Sequence, residues 1–486
     1  MAISAETFFL DPDHPGTLQQ QVQSMVAEGI LSGRFRPGEK LPSSRGLARH
    51  LGISRITVTL AYTELLADDY LIARGRSGYF VSQNAPQPPH FAPSPRKEGV
   101  DWSRALGQRF ARTEPSDPRA DWRRYPYPFI YGQADASLFD RASWRLCALQ
   151  ALGARNFESM ADDRYDADDP ELVDFIARHL LPRRGILAGP DEILVTMGAQ
   201  NALWLTVQVL LTQRRQAAIE DPSYPNLHDI LRGARCRVVS VSVDDRGLRP
   251  EAIPPATDVA FTTPSHQCPT NATMPLERRR ALLDRAAADD MLIVEDDYEF
   301  EMSFLAAPLP ALKSLDREGR VIYLGSFSKS LLPGLRLGFL VGAAPFIREA
   351  RALRMSVLRH PPGQIQRTAA YFLGLGHYDA HLKRLGRALQ DRRIAMDRAI
   401  EEYGLTVAGR GAFGGSSLWM RAPETVDAET LAESLRDEGV LIEPGVRFFW
   451  RADPPRNFYR IAYSSITTPK IGPGIARIGQ AIRNAA

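Results

Sequence analysis

The stretch VIYLGSFSKSLLPGLRLGFLVG, residues 321–342, carries the strongest indication of the fold. Its first apolar run ends at Gly325, and the polar residues Ser326, Ser328, Lys329 and Arg336 follow before the next apolar run begins. Hydroxyl groups and an arginine bind a phosphate dianion well. A lysine that is buried near other cations has a lowered pKa and forms a Schiff base readily. The stretch therefore predicts a strand end that holds a phosphate beside a reactive amine.

Four other apolar runs end in polar residues in the same way. They are EILVTMGAQNAL (192–203), AAIEDPSYPN (217–226), VAFTTPSHQCPTN (259–271) and MLIVEDDYEF (291–300). Such runs alternate with amphipathic segments, which is typical of a mostly parallel sheet, and ligands bind outside the carboxyl ends of its strands. The run EILVTMGAQNAL continues into a predicted helix that begins around Gly198, Ala199 and Gln200, where free backbone N–H groups favour an anion.

The acidic group Glu295-Asp296-Asp297, followed by Tyr298, ends a fully apolar run. Carboxylates at a buried strand end need a cationic partner, since an unpaired buried charge is costly. A solvated turn is the alternative interpretation of these residues. Tyr224, which follows another strand end, is by itself explained equally well by simple packing.

Composition places the whole chain among globular proteins with more than one domain. It has 486 residues, of which 44% are hydrophobic and 24% charged, and its net charge is only +3. No apolar run is long enough for a membrane span, and the first residues lack the basic region and apolar stretch of a secretion signal. Three distant cysteines suggest neither disulfides nor a metal site. We therefore expect a cytoplasmic protein without a metal ion.

The first 82 residues have a different texture, with helical periodicity over 17–31 and two further short helices. The second of these, in LPSSRGLARHLG, ends at Gly52, and the third has Ser54 as its N-cap and buries Val58, Ala61 and Leu65. The segment LIARGRSGYFV (71–81) then predicts a hairpin. Two short helices with a tight turn form a helix-turn-helix. Cations and acids are equal in number here, so a small domain for protein contacts remains the alternative.

This region resembles the winged helix-turn-helix of the GntR superfamily through PGEKLPSSRGLA, LGISRITV, AYTELL and GRSGYFV, in that order. The resemblance implies binding of double-stranded DNA, with the third helix in the major groove and the wing near the minor groove. Helix N-termini and arginine side chains suit both base edges and phosphates. The residues expected to contact DNA are Arg45, Ser54, Arg55, Thr57 and Gly78.

We expect a DNA-binding domain over 12–82, a linker over 83–125 rich in Pro, Arg and Asp, and a large domain over 126–486. The linker includes a short helix around Trp102 to Phe110. The large domain resembles fold-type-I enzymes of the aminotransferase subgroup, which bind pyridoxal 5′-phosphate (PLP). This implies an α/β domain with its large part at about 165–345 and a smaller C-terminal α+β part from about 350.

That resemblance assigns a role to each matching residue. Lys329 would form the Schiff base with PLP, Asp296 would pair with the pyridine nitrogen, and Tyr298 would bond to the phenolate oxygen. Tyr224 would stack on the ring. The phosphate would be held by Gly198, Ala199, Gln200, Ser326, Ser328 and Arg336. Arg460, in NFYRIAYSS (457–465), would bind the anionic end of a ligand, and Tyr165 would reach the phosphate of a partner subunit.

One loop departs from the aminotransferase pattern, which has Asn-Pro-Thr-Gly where this chain has Cys268-Pro269-Thr270-Asn271. Asn tolerates the left-handed backbone that a glycine adopts. The preceding Ser265-His266-Gln267 resembles the MocR family, in which a GntR-type reader is fused to an aminotransferase-like domain. That resemblance implies a transcription regulator and a head-to-tail homodimer.

The resemblance implies that an amino compound is sensed through an external aldimine with PLP. The compound would be an amino acid, an aminosulfonate such as taurine, or an amine of the kind that ectoine breakdown yields. Two alternatives stay open: an active aminotransferase with an accessory DNA-binding domain, and a regulator of vitamin B6 supply that senses PLP itself. Catalysis is not expected as the main role, although half of a transamination reaction is compatible with these residues.

Overall fold

The computed structural model describes residues 2–86, 99–107, 121–164, 166–409 and 411–485. The chain divides into two compact units, Met1–Thr113 and Glu114–Ala486. The predicted linker lies partly outside the described residues, and Tyr165 lies outside them. Within those ranges we find no helix whose length and apolar content would let it span a bilayer.

The first unit is a winged helix-turn-helix, as predicted. Its helices and strands are α1 (Leu18–Leu31), α2 (Ser44–Leu51), α3 (Arg55–Ala67), β1 (Leu71–Ala73) and β2 (Tyr79–Val81), followed by the single turn α4 (Trp102–Ala105). Gly52, with φ +68°, makes the turn between α2 and α3. The Ser54 hydroxyl caps α3 by accepting a hydrogen bond from the Ile56 amide at 3.2 Å. Val58, Ala61 and Leu65 are buried, which confirms the predicted inner face of α3.

The second unit contains twelve helices in its described part. They are α5 (Arg141–Ala151), α6 (Ala154–Ala161), α7 (Pro170–Phe175), α8 (Ala199–Leu210), α9 (Pro225–Ala234), α10 (Leu276–Ala288), α11 (Leu312–Leu315), α12 (Ala344–Leu358), α13 (Gly363–Gly374), α14 (His377–Glu402), α15 (Ala428–Asp437) and α16 (Thr468–Ala485).

Its strands form one large and one small sheet and a two-stranded pair. They are β3 (Tyr127–Pro128), β4 (Ile193–Thr196), β5 (Gln216–Asp221), β6 (Arg237–Asp244), β7 (Gly247–Leu248), β8 (Val259–Thr262), β9 (Leu292–Asp296), β10 (Val321–Ser326), β11 (Gly338–Val341), β12 (Thr406–Gly409), β13 (Ser417–Arg421), β14 (Val440–Leu441), β15 (Glu443–Pro444) and β16 (Phe458–Ala462).

The large sheet has the strand order β4-β11-β10-β9-β8-β5-β6-β7. Neighbours from β10 to β6 are parallel, whereas β11 runs antiparallel to both β10 and β4. Side chains of one strand alternate between two cores. Ile193 and Val195 pack with α7 and α13, while Leu194 packs with α8 and α12 on the other face. Burial on both faces explains why these strands read as continuous apolar runs.

The small sheet, in the order β12-β13-β16-β15, is antiparallel and packs against α14, α15 and α16. Separately, β14 pairs with β3, so the start of the second unit joins its C-terminal part. This arrangement confirms the predicted fold class, an α/β domain of aminotransferase type with a smaller α+β part.

Candidate functional site

The carboxyl ends of β4, β5, β8, β9 and β10 lie along one edge of the large sheet. In the register, Asp296 lies beside Leu324, and Gly338 lies between Ser326 and Thr196. The sheet therefore brings together polar residues that are far apart in the sequence.

Lys329 lies just beyond the end of β10, with its Nζ 3.9 Å from the centroid of the Tyr131 ring. A Cβ at Gly132 would lie only 3.0 Å from this nitrogen, and Gly132 has φ +90°, so glycine is needed there. Burial lowers the pKa of Lys329 to about 8, with a further contribution from the charge of Arg460. At pH 7 roughly a tenth of the amine is thus neutral and nucleophilic, far more than for an ordinary lysine.

Two of the three consecutive acids at the end of β9 have strong partners. Asp297 accepts hydrogen bonds from Arg184 Nε at 2.7 Å and from the Tyr323 hydroxyl at 2.9 Å. Glu295 accepts hydrogen bonds from the backbone N–H groups of Leu312 and Lys313. These contacts supply the compensation that buried carboxylates need.

Asp296 differs from both neighbours. Within the described part of the chain, Oδ1 is buried and unpartnered in both Asp296 and Asp297, but Asp297 is held through Oδ2 whereas no hydrogen bond to Asp296 is found. Burial, together with the charges of Asp297 and Glu220, raises the pKa of Asp296 to about 7. An orphaned carboxylate oxygen in this position matches a cationic or N–H group supplied by a bound molecule.

Two tyrosines flank this carboxylate. Tyr224 lines the same small cavity as Asp296, and its hydroxyl accepts a hydrogen bond from Asn226 at 3.1 Å. The hydroxyl of Tyr298 donates to the carbonyl oxygen of His266 at 2.9 Å. Both rings therefore lie at the strand ends where the sequence analysis placed them.

The predicted phosphate residues meet between β4, β10 and α8. Gly198 has φ +83°, a backbone conformation that favours glycine, and a Cβ there would lie 3.2 Å from the Arg336 guanidinium and displace it slightly. Arg336 donates from Nη2 to the Met197 carbonyl at 3.1 Å. The Ser326 hydroxyl accepts from the Ser328 amide. Ala199 and Gln200 open α8, where the first N–H groups of a helix favour an anion.

Arg460 lies on β16 and is held on three sides. Its Nε donates to Glu443 at 2.9 Å, and its Cζ lies 4.1 Å from the Tyr131 ring centroid and 4.7 Å from that of Phe448. Since Lys329 Nζ and Arg460 Cζ lie 3.9 Å and 4.1 Å from the Tyr131 centroid, they are at most about 8 Å apart. One short molecule can therefore reach both.

The loop that departs from the aminotransferase pattern is intact. Asn271 has φ +59°, which confirms that Asn takes the left-handed backbone here, and its side chain donates to the Ser417 carbonyl at 2.7 Å. Burial raises the pKa of Cys268 to about 12, so this thiol stays protonated near neutral pH.

These residues fit PLP. Asp296 offers an unpartnered carboxylate for the pyridinium nitrogen, and Lys329 offers an amine with a lowered pKa. Gly198, Ser326, Ser328 and Arg336 form a corner of donors suited to the phosphate.

The residues expected to contact DNA lie in the first unit, on α2, at the start of α3 and in the wing. Arg45, Ser54 and Arg55 are exposed, while Thr57 and Gly78 are partly exposed. Among the described residues, no acidic side chain pairs with Arg45 or Arg55. Both guanidinium groups are thus available to phosphates or base edges.

Sequence reasoning missed three residues of the site: Tyr131, Glu299 and Glu443. Tyr131 follows β3 and Glu443 begins β15, and neither segment carries a recognisable motif. Glu299 adjoins Tyr298, but its chemistry depends on Ser416, whose hydroxyl donates to it from a distant loop. Cross-strand register, such as that of Glu443 with Arg460, was the missing information.

Two families match separate parts of the chain. The family of bacterial regulatory proteins called gntR matches residues 18–81. The family "Aminotransferase class I and II" matches residues 164–478.

Full-length relatives combine both parts. The chain is 59% identical to the HTH-type transcriptional regulator TauR of Rhodobacter capsulatus, over 99% of this chain and 100% of that protein. It is 29% identical to the probable rhizopine catabolism regulatory protein MocR of Rhizobium meliloti, over 96% and 94% of the two chains.

A solved structure resembles the second unit. LysN, an alpha-aminoadipate aminotransferase of Thermus thermophilus complexed with N-(5′-phosphopyridoxyl)-L-leucine, superposes with a TM-score of 0.71 and 28% identity. The match covers 79% of this chain and 99% of LysN.

Proposed function

The chain belongs to the aminotransferase class I and II family as a MocR-type transcription regulator with a GntR-type DNA-binding domain, and from this premise we propose that it senses an amino compound. One observation carries the proposal. Lys329, an amine that reacts with aldehydes, and Arg460, a binder of anions, lie on one tyrosine ring within reach of a single short ligand.

The cofactor of this domain is PLP. When bound, PLP supplies an electrophilic carbonyl carbon with which primary amines condense. Lys329 is the proposed attachment point, and Asp296 is the proposed partner of the pyridine nitrogen. Tyr224 would stack on the ring, and Tyr298 would bond to the phenolate oxygen. The corner of Gly198, Ala199, Gln200, Ser326, Ser328 and Arg336 would hold the phosphate.

Arg460 would bind the anionic end of the ligand. Because Nε is already bonded to Glu443, the two Nη groups remain for a carboxylate or a sulfonate. Tyr131 and Phe448 hold the guanidinium plane in place. A fixed fork loses little freedom on binding, so recognition of the anion is preorganised.

Sensing requires that the ligand bind one arrangement of the regulator better than another. In this proposal the DNA-bound arrangement differs from the ligand-bound one, and the DNA contacts are those of Arg45, Ser54, Arg55, Thr57 and Gly78. A head-to-tail homodimer, in which each DNA-binding domain belongs with the other chain's large domain, is the proposed assembly.

A second candidate is a working aminotransferase. The lowered pKa of Lys329 favours it, since transamination needs this amine to move a proton between the ligand's Cα and the cofactor. Cys268 favours sensing instead. It stands where aminotransferases have an asparagine beside the phenolate oxygen, and a protonated, buried thiol is a weak hydrogen-bond donor.

The deciding experiment mixes the purified PLP-bound protein with an amino ligand and a keto acid. We expect a change in the absorption spectrum and in promoter affinity, with little pyridoxamine phosphate or new amino acid by mass spectrometry. Steady turnover at roughly 1 per second or faster, a rate typical of enzymes, would establish the aminotransferase. A response of promoter affinity to PLP alone would indicate control of vitamin B6 supply.

A further inference from the structure

Two buried polar atoms beside Lys329 have no partner among the described residues. They are the hydroxyl oxygen of Tyr131 and Oε2 of Glu299. Glu299 is only 1% exposed. Unsatisfied buried groups are rare in folded proteins, and a carboxylate oxygen is an especially costly one. Such an oxygen is explained by a ligand that donates to it.

Glu299 is anchored so that one oxygen stays open. Its Oε1 accepts a hydrogen bond from the Ser416 hydroxyl, and Ser416 is itself buried. The preceding residue, Tyr298, is fixed by its bond to His266, and its ring meets that of Tyr131 edge-on at 6.4 Å. The Glu299 carboxylate acts electrostatically on Tyr131, Lys329 and Arg460, so it lies close to the ring that Lys329 and Arg460 contact.

The charges around this ring are balanced. Arg460 is paired with Glu443 at 2.9 Å, and Glu299 and Lys329 act electrostatically on each other. Lys329 and Arg460 are the cations that act most strongly on Glu299 among the described residues. With Arg460 taken by one anionic group and Lys329 by the cofactor, a second anionic group would meet the open oxygen of Glu299 without a cation to offset it.

We propose that Glu299 determines the specificity of the ligand site: its free oxygen accepts a hydrogen bond from a neutral or cationic group and excludes a second anionic group. The site then takes ligands with one amino and one anionic group and rejects dicarboxylic amino acids. This inference rests on the proposed sensing of an amino compound.

Ligand pairs that differ by one charge test it. 3-Aminopropanoate is L-aspartate without its α-carboxylate, and 4-aminobutanoate is L-glutamate without its α-carboxylate. L-Asparagine has the shape of L-aspartate but an uncharged side chain. Dissociation constants are measured by equilibrium dialysis and by absorbance on the PLP-bound protein. In the wild type we expect each dicarboxylate to bind at least roughly 10-fold more weakly than its partner compound.

Glu299→Gln keeps the shape of the side chain and removes its charge. The ratio of the two dissociation constants within each pair should therefore shrink at least roughly 5-fold. Glu301→Gln is the matched control. Glu301 lies two residues further on, is partly buried and accepts from the Tyr378 hydroxyl. Unlike Glu299, it is not among the charges that act most strongly on Tyr131 and Lys329. Its substitution should leave the ratio unchanged. Where Glu299→Gln fails to fold, as judged by thermal melting, Glu299→Ala takes its place.

The outcomes separate the two proposals. If a PLP-bound wild type responds neither to these compounds nor to taurine, the aminosulfonate tested beside them, the proposed sensing is wrong. If it responds but binds dicarboxylates as tightly as their partner compounds, or if the Glu299 variants keep the wild-type ratio, only the assignment of Glu299 is overturned.

Discussion

On the surface of the first unit, Arg45 and Arg55 are exposed, and no acidic group pairs with them among the described residues. At the edge of the large sheet, charged groups are buried and mostly paired, as Arg184 is with Asp297 and Arg460 with Glu443. Asp296 lines a small cavity there, and its buried Oδ1 has no hydrogen-bond partner among the described residues.

The two regions hold an unpaired charged group for a binding partner at different costs in stability. An exposed arginine stays hydrated, so holding it unpaired costs the free protein little. A buried carboxylate without a partner costs stability until its ligand arrives. Substitutions in the first unit should therefore change affinity alone, whereas those in the sheet-edge site should change stability and affinity together.

The largest effect is expected at Lys329. Lys329→Ala should abolish the absorption band of lysine-bound PLP and prevent borohydride from fixing PLP to the chain, because this amine is the only attachment point that we propose. Lys383→Ala, on the exposed face of α14, is the control and should keep both signals. Intact mass spectrometry after borohydride treatment measures the covalent PLP adduct on each variant. An adduct retained on the Lys329 variant would overturn the assignment.

The neighbours Asp296 and Asp297 should respond in opposite ways. Asp297→Asn leaves the buried Arg184 without its counter-charge, so the free energy of unfolding of the PLP-free protein should fall by about 3–5 kcal/mol. Asp296→Asn removes a buried charge that has no partner, and should leave the PLP-free protein as stable or more so while weakening PLP binding. Urea unfolding at pH 7 and a PLP titration measure both quantities.

Equal losses of stability in the two variants would contradict the contrast between the paired and the orphaned carboxylate. PLP affinity that Asp296→Asn leaves unchanged would remove Asp296 from the cofactor site.

The sequence predicted the first unit well because its signals are local. The Ser54 cap, the Gly52 turn and the buried face of α3 depend on residues within one or two turns of each other. It also predicted that strand ends would converge, since continuous apolar runs that alternate with amphipathic helices form parallel sheets.

The sequence could not say which acid at the end of β9 stays unpaired. Glu295 is satisfied by backbone amides at the start of α11, and Asp297 by Arg184, and neither partner is visible in the motif. Likewise Tyr131, whose ring contacts both Lys329 and Arg460, comes from a segment far before either in the sequence. Long-range packing decides such features.

The pH dependence of stability should sharpen the contrast. The pKa of Asp296 is raised to about 7 in the folded protein, against about 3.9 for an unfolded aspartate. This group therefore favours the folded state below about pH 4, and that stabilisation is lost as pH rises through 7. The slope attributable to Asp296 should reach up to about 1.4 kcal/mol per pH unit.

The difference between wild type and Asp296→Asn isolates this slope, since burial also raises the pKa values of Glu295 and Glu301 to about 7 in both proteins. Urea unfolding of the PLP-free proteins from pH 5 to 8 should show that the free energy of unfolding of the variant rises relative to that of the wild type as pH increases. Parallel curves would show that Asp296 titrates normally.

The smallest effect is expected on the surface of the first unit. Arg55 opens α3 just after the Ser54 cap and is exposed without an acidic partner in the described structure, so it can present its fork to a base edge or a phosphate. Arg55→Ala should weaken promoter binding by about 1–3 kcal/mol if it makes a bidentate base contact. Stability should stay within about 0.5 kcal/mol of the wild type, because no partner is left uncompensated.

Arg49→Ala, on the exposed last turn of α2, is the matched control and should change promoter affinity less. Gel shifts at several salt concentrations separate the two kinds of contact. Loss of a phosphate contact reduces the salt dependence of binding, whereas loss of a base contact lowers affinity for the promoter more than for unrelated DNA. Unchanged promoter affinity in Arg55→Ala would mean that α3 does not face DNA in the proposed orientation.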